Sequence, residues 1–100
     1  MTPYFLTAEA NEDLRLVRDY YDAIRVGLGD EFLNEFEIAM EKVCQNPLAF
    51  DPLGRSTYRR FIMERFPYAM IYSTSTDAIE VVVVVHTSRQ PTVWQKRLKK

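Results

Sequence analysis

The 100-residue chain has very few of the residues from which metal, redox and phosphate sites are built. It contains one cysteine, Cys44, and one histidine, His86, so an intramolecular disulfide is excluded and a ligand set of several His or Cys residues is not available. The only glycines are Gly27, Gly29 and Gly54, which rules out a glycine-rich phosphate loop. No serine lies in a nucleophile elbow, so a Ser-His-Asp triad has no support. We therefore expect neither a metal nor a cofactor.

The chain also lacks the segments that direct proteins into or across membranes. No run of apolar residues approaches the roughly 18 that a membrane helix needs. The start, Met1-Thr2-Pro3-Tyr4, has no basic region of the kind that begins a signal peptide. With a single cysteine, these features favour a cytoplasmic protein without a membrane partner. Its 47% of hydrophobic residues predicts one folded domain over residues 1–100.

The most informative stretch is residues 78–86, in which seven of nine residues are apolar and Val81 to Val85 are consecutive valines. Five valines in a row have no helical periodicity, and β-branched side chains suit a pleated surface. A continuous apolar run of this length predicts a strand that is covered on both faces, inside a sheet rather than at its edge.

Two helices are predicted before this strand, after a short strand at Tyr4-Phe5-Leu6. Thr7 is a suitable N-cap for the first helix, which we expect to end at Gly27. Leu28-Gly29-Asp30 is expected to form a turn in which Asp30 caps the second helix, and Asn46-Pro47 to end that helix. The inward positions of the two helices are predicted to be Ala10, Leu14, Val17, Tyr21, Ile24, Leu33, Phe36, Met40 and Val43.

The second half of the chain predicts an antiparallel meander. Residues 46–57 are expected to form a loop, Tyr58–Met63 and Pro67–Thr74 to form strands, and Ser75-Thr76-Asp77 to turn into the valine strand. A last short helix is expected at Val93–Leu98, with a basic face that ends in Lys99-Lys100. The fold class is thus α+β, in the order β-α-α-β-β-β-α, with an antiparallel-rich sheet packed against an N-terminal helical hairpin.

The net charge of −1 hides a strong asymmetry between the two halves of the chain. Residues 1–52 have four basic and eleven acidic side chains, whereas residues 53–100 have nine basic and three acidic ones. One interpretation is a solvated acidic helical face with a basic tail. The other is a cationic surface on the sheet half that binds an acidic partner. The pI near 5.8 argues against strong non-specific binding of nucleic acid.

The candidate functional residues belong to the basic half and lie on or beside neighbouring strands. Guanidinium groups together with an imidazole would suit a phosphodiester, because arginine stabilises negative charge and histidine transfers protons near neutral pH. The alternative is that the arginines pair with Glu64, Glu80 or the acidic helices, and that the tryptophan packs the last helix onto the sheet. The candidates are Arg59, Arg60, Arg65, His86, Arg89 and Trp94.

Three segments, in their order and spacing, resemble one protein family. They are Asp19-Tyr20-Tyr21, the run Arg60 to Tyr68 with Ile71-Tyr72, and the run His86 to Pro91 with Trp94. The chain resembles the RelE/ParE superfamily over nearly its whole length; these are the toxins of bacterial type II toxin–antitoxin modules, also known as plasmid stabilisation proteins. No tyrosine follows Tyr72, whereas RelE-like members usually have a tyrosine or histidine near the C-terminus. The resemblance is thus closer to the ParE branch.

The resemblance implies a β-α-α-β-β-β core and a cognate antitoxin whose acidic C-terminal segment wraps around the toxin. ParE-like members inhibit DNA gyrase without nuclease chemistry, so for them no catalytic residue is expected. RelE-like members cleave mRNA on the ribosome, and Arg60, Arg65 and His86 would then be catalytic. A third possibility is a non-toxic interaction domain of the same fold. For a gyrase inhibitor, we predict that Arg65, His86, Arg89 and Trp94 lie near the surface that contacts the target; Arg59 and Arg60 complete the set expected to bind the target or the antitoxin.

Overall fold

A computed structural model describes residues 2–74 and 77–98 of the chain. The elements are β1 (Tyr4–Leu6), α1 (Ala8–Ile24), α2 (Leu28–Gln45), β2 (Asp51–Pro52), β3 (Tyr58–Ile62), β4 (Tyr68–Ser73) and β5 (Ile79–His86), followed by two 3₁₀ turns at Pro91–Val93 and Gln95–Arg97. The predicted α+β class and element order are confirmed. The expected last helix consists of the two 3₁₀ turns. Ser75-Thr76 of the expected turn and Lys99-Lys100 of the basic face lie outside the described residues.

The junction of the two helices differs from the prediction. Helix α1 ends at Ile24 rather than Gly27, and the expected turn at residues 28–30 is already the first turn of α2. Gly27 is the N-cap, with φ of +91°, a conformation that glycine adopts without steric cost. The predicted cap Asp30 is wrong because Asp22 of α1 provides the acceptor: its Oδ1 accepts from the amides of Gly27 at 3.2 Å and Gly29 at 2.8 Å.

Strand β2 lies within the segment that was expected to be a loop. Asp51 and Pro52 pair with Arg60 and Arg59 of β3, at the edge of the sheet. The prolines and glycine of this segment indicated a loop, but an edge strand tolerates proline because only one side of the strand must supply hydrogen bonds.

The sheet has the order β1-β5-β4-β3-β2, in which β1 runs parallel to β5 and every other pair is antiparallel. The valine strand β5 is therefore internal, as predicted. Its register with β4 pairs Tyr72 with Val81 and Ile71 with Val83, so Val82 is an extra residue that forms a bulge. The bulge directs Val82 and Val83 to one face together, whereas Val81 and Val84 face the helices.

Both faces of β5 are covered, by different parts of the chain. The helical hairpin packs on one face and forms the main core, whose fully buried side chains include Phe32, Met40, Val43, Met70, Tyr72 and Val81. On the other face Trp94, between the two 3₁₀ turns, packs with Ile71, Val82 and Val83. The predicted inward positions of the helices are confirmed except for Ile24, which is exposed at the end of α1. No helix in the described ranges has the length and apolarity needed to cross a bilayer.

Candidate functional site

Arg65, in the loop after β3, is held against the helical hairpin. Its guanidinium pairs with the carboxylates of Glu31 and Glu35 on α2 and stacks 5.2 Å from the centre of the Phe66 ring. The hydrogen bond from Arg65 lowers the pKa of Glu31. Of the two interpretations of this residue, pairing with the acidic helices agrees with the structure.

Arg59 and Arg60 point to opposite faces of β3, as expected for neighbouring residues of a strand. Arg59 donates to the carbonyl of Phe50 at 2.7 Å on the helix side. Arg60 donates from Nη2 to Asp51 at 2.9 Å on the other face. The Nε of Arg60 is buried without a hydrogen-bond partner among the described residues, which is an unfavourable state for a charged donor.

His86 and Arg89 lie together at the end of β5. The His86 ring packs edge-on against Tyr68, with centroids 5.2 Å apart. Its Nδ1 accepts from the amide of Ser88 at 3.1 Å, so the neutral ring carries its proton on Nε2. Burial raises the pKa of Tyr68, and the nearby Arg89 guanidinium partly offsets this rise. No carboxylate within residues 2–74 and 77–98 pairs with Arg89.

These two residues belong to a cleft of about 280 Å³, here called the edge cleft. Its floor is the outer edge of β5, which is open there because β1 pairs with β5 only as far as Val81. Helix α1 forms one wall and the C-terminal turns form the other. The lining residues are Asp13, Leu16, Val17, Tyr68, Val83, Val84, Val85, His86, Arg89, Val93, Trp94 and Arg97.

An ion pair, between Asp13 and Arg97, forms part of the lining of the edge cleft. Arg97 binds Asp13 through two hydrogen bonds, at 2.7 and 3.1 Å, and also donates to the carbonyl of Val82 at 3.0 Å. Asp13 in turn accepts from the amide of Val84 at 3.0 Å. The two side chains thus satisfy backbone groups of β5 that a neighbouring strand would otherwise bind. This pair was not predicted from the sequence, since 84 positions separate the partners and no local pattern connects them.

A second cleft of about 540 Å³, here called the face groove, lies on the sheet face that the helices leave uncovered. Arg60 and Trp94 both line it, and Trp94 also lines the edge cleft. The complete lining is Leu53, Gly54, Ser56, Tyr58, Arg60, Pro91, Trp94, Gln95 and Leu98.

The six candidate residues therefore lie in four different places in the structure. His86, Arg89 and Trp94 share the edge cleft, and Arg60 shares the face groove with Trp94. Arg59 and Arg65 are bound elsewhere, to the Phe50 carbonyl and to α2. Among the described residues, no group of three or more His, Cys, Asp or Glu side chains could hold a metal ion.

Known proteins provide an independent comparison. A solved structure described as the chromosomal ParDE TA system from P. aeruginosa is similar, with a TM-score of 0.75 and 18% sequence identity over 86% of this chain and 96% of that chain. Comparison with curated proteins gave no match. The family model of the ParE toxin of type II toxin-antitoxin system, parDE, matches residues 4–91. The match extends from β1 to the first 3₁₀ turn and includes every candidate residue except Trp94, and the chain belongs to the family of ParE toxins of type II toxin–antitoxin systems.

Proposed function

We propose that this ParE-family protein inhibits DNA gyrase by binding it, without catalysing a reaction, and that a cognate antitoxin protein neutralises it. The observation that carries the proposal is the separation of Arg60, Arg65 and His86. An endoribonuclease would need these groups around one phosphodiester, since transition-state stabilisation and proton transfer require reacting groups within hydrogen-bond reach. In this structure the three side chains have different partners: Arg60 binds Asp51, Arg65 binds α2, and His86 binds Ser88.

The edge cleft is the surface that best fits contact with the target. It combines a cation that forms no ion pair with the described residues, Arg89, with an N–H donor, Nε2 of His86. Exposed apolar side chains lie next to them: Leu16 is 53% exposed and Val93 is 51% exposed. Arginine beside apolar side chains is typical of protein-binding surfaces. His86, Arg89 and Trp94, three of the four residues predicted to lie near the target, line this cleft.

The antitoxin part of the proposal is supported by the family and by charge. The similar P. aeruginosa structure is that of a ParDE system. In this chain the sheet half has nine basic residues against three acidic ones, which suits an acidic partner.

The experiment that tests the gyrase proposal is DNA supercoiling by purified gyrase in the presence of the purified chain, with a search for trapped cleavage complexes. We expect inhibition by the wild type and at least about tenfold weaker inhibition by Arg89→Ala, because an arginine hot spot at an interface is worth roughly 2 kcal/mol or more. The matched control is Arg25→Ala, an exposed arginine at the far end of the hairpin.

If the wild type leaves supercoiling unchanged, gyrase is not the target. Cleavage of mRNA on translating ribosomes should then be measured with the same variants. If gyrase is inhibited equally by the wild type and by a folded Arg89→Ala protein, the toxin proposal stands but the edge cleft does not contact the target.

A further inference from the structure

Helix α1 exposes a row of three apolar side chains that the fold does not bury. Leu16, Tyr20 and Ile24 follow one another at intervals of four residues, so they are neighbours on one side of the helix over about 12 Å. They are 53%, 58% and 60% exposed, whereas Ala10 and Val17 of the same helix are buried in the core. These three side chains are here called the α1 row.

The α1 row is continuous with the edge cleft. Leu16, the first residue of the row, also lines that cleft together with Arg89 and Val93. Val93 is itself 51% exposed, so apolar surface extends from the C-terminal turns across the cleft and along α1. Large, contiguous apolar surface of this kind marks binding sites for other proteins.

Tyr20, the middle residue of the row, is held in place by a chain of aromatic contacts. Its ring packs edge-on against Tyr21, with centroids 5.2 Å apart, and Tyr21 packs in the same way against Tyr68 at 6.1 Å. Tyr68 in turn packs against His86 of the edge cleft at 5.2 Å. Burial raises the pKa of Tyr68, the two α1 tyrosines raise it further and Arg89 lowers it, so all three groups lie near the same hydroxyl. An exposed aromatic side chain that is already ordered loses little entropy on binding.

The charges beside the row neutralise one another, and this defines the partner that the row fits. Arg15 and Arg18 both bind Asp19, and Asp22 accepts from two amides at the start of α2. Arg89, at the cleft end of the row, forms no ion pair with the residues that the structure describes. Charge complementarity therefore calls for an apolar partner face with an acidic group at one end.

We propose that the α1 row extends the target-binding surface beyond the edge cleft and binds an amphipathic helix of gyrase, with a carboxylate of that helix facing Arg89. This inference rests on the proposed function, because it names the kind of gyrase segment that the surface would bind. A helix is the occupant that fits, since side chains four residues apart form a ridge that packs into the groove of a second helix. The apolar face of the partner would cover Leu16, Tyr20 and Ile24.

The test measures the affinity of the purified chain for purified gyrase without DNA, by surface plasmon resonance. We expect Tyr20→Ala to raise the Kd at least about tenfold, because tyrosines often dominate binding energy at interfaces, and Tyr20→Phe, which keeps the ring, to raise it no more than about threefold. The double variant Leu16→Ala/Ile24→Ala should also raise the Kd at least about tenfold. Its matched control is Ile38→Ala/Leu48→Ala, an exposed isoleucine and leucine outside the row, with a change of no more than about twofold. Alanine favours a helix, and circular dichroism confirms that the variants are folded.

The salt dependence of the same affinity separates contact from an indirect effect on the cleft. Raising NaCl from 50 to 500 mM should raise the Kd of the wild type, because the pair between Arg89 and the partner carboxylate is screened. Arg89→Ala should flatten this rise, whereas Tyr20→Ala should keep it. A flattened rise in Tyr20→Ala as well would mean that Tyr20 acts by positioning Arg89, which would overturn the assignment of the row as a contact.

The other outcomes separate the inference from the proposed function. If the wild type neither binds nor inhibits gyrase, the proposed function fails and the inference fails with it. If the wild type binds and the folded row variants bind equally well, only the assignment of the row is wrong. The row would instead be a self-association surface if sedimentation shows a dimer of the chain that Tyr20→Ala dissociates. It would belong to the antitoxin if the row variants weaken binding of the neighbouring gene product and leave gyrase binding unchanged; either result overturns the inference.

Discussion

At the scale of single residues, Tyr72 is the buried group with the largest consequence for pH dependence. Its side chain is fully buried in β4, and its hydroxyl donates to the carbonyl of Pro47 at 2.8 Å. Burial raises the pKa of Tyr72 to about 12, although the positive charge of Arg59 lowers it. The folded state therefore keeps the phenol neutral at a pH where the unfolded chain has begun to ionise.

This shift gives a prediction for Tyr72→Phe. Near pH 7 the variant should be less stable than the wild type by about 1–2 kcal/mol, because the Pro47 carbonyl loses its donor. A raised folded-state pKa contributes stability that is complete below pH 10, the unfolded value, and is lost as the pH rises to about 12. Urea unfolding at pH 7 to 12 should therefore show a shrinking difference between the two proteins. A difference in the free energy of unfolding that stays constant over this range would contradict the raised pKa of Tyr72. The control is Tyr20→Phe, at an exposed tyrosine.

Two glycines near the helix junction are required for different reasons. A Cβ on Gly29 would lie 2.5 Å from the carbonyl oxygen of Arg18 in α1, whereas a Cβ on Gly27 would meet nothing within 4 Å. Gly27 is restricted only by its φ of +91°. Asparagine tolerates this backbone region better than other residues, so Gly27→Asn should cost about 1 kcal/mol or less. Gly29→Asn forces the helices apart and should cost about 2–3 kcal/mol.

Thermal unfolding followed by circular dichroism distinguishes these two residues. We expect a small decrease in Tm for Gly27→Asn and a large one for Gly29→Asn. Equal decreases would mean that the helix crossing tolerates a side chain at residue 29, which would contradict the steric explanation.

Individual elements show what sequence reasoning can and cannot reach. The valine strand was predictable because five β-branched residues in sequence leave few alternatives to a buried strand. The opposite directions of Arg59 and Arg60 on β3 follow from the alternation of side chains along a strand. The Asp22 cap and strand β2 were not predictable, because each depends on a partner that the tertiary fold brings near: the start of α2 for Asp22, and β3 for β2. The same limit applied to the candidate site. The sequence predicted that the candidate residues lie on or beside neighbouring strands, but not that the arginines bind different partners in separate places.

The ion pair between Asp13 and Arg97 is the link that connects α1, β5 and the C-terminal turns. The side chains are only 16% and 26% exposed. Asp13→Ala leaves Arg97 and the amide of Val84 without their acceptor, so we expect a loss of about 2–3 kcal/mol. Arg97→Ala should cost a similar amount, and the double variant should cost less than the sum of the two.

Trp94 provides a fluorescence probe for this prediction, because it is the only tryptophan in the sequence and is only 7% exposed. Release of the C-terminal turns should shift its fluorescence to longer wavelengths in Asp13→Ala before the helices unfold. The control Asp19→Ala removes an exposed pair partner of Arg15 and Arg18 and should change stability by less than about 0.5 kcal/mol. An unchanged spectrum in Asp13→Ala would show that Trp94 packing alone holds the turns.

For the whole molecule, the structure shows which charges of the two halves of the chain are paired and which remain unpaired among the described residues. The basic residues of the hairpin are neutralised locally, and Arg65 of the sheet half is also neutralised, by α2. The excess of positive charge that remains available to a partner is therefore smaller than the composition of the sheet half suggests. Among the described residues, four cations form no ion pair: Arg55 and Lys96, whose sequence neighbours line the face groove, Arg89 in the edge cleft, and Arg59, which donates to the carbonyl of Phe50.

This distribution predicts a limited salt dependence of antitoxin binding. Because exposed charges are screened over about 8 Å at physiological ionic strength, raising NaCl from 50 to 500 mM should weaken the complex of the toxin with the neighbouring gene product. Two or three cations account for the effect, so the Kd should rise by roughly one order of magnitude and not by several, as it does for proteins that bind nucleic acid through many phosphate contacts. Arg55→Gln should flatten the dependence and Arg25→Gln should leave it unchanged. A Kd independent of salt in the wild type would mean that apolar contacts provide the affinity alone.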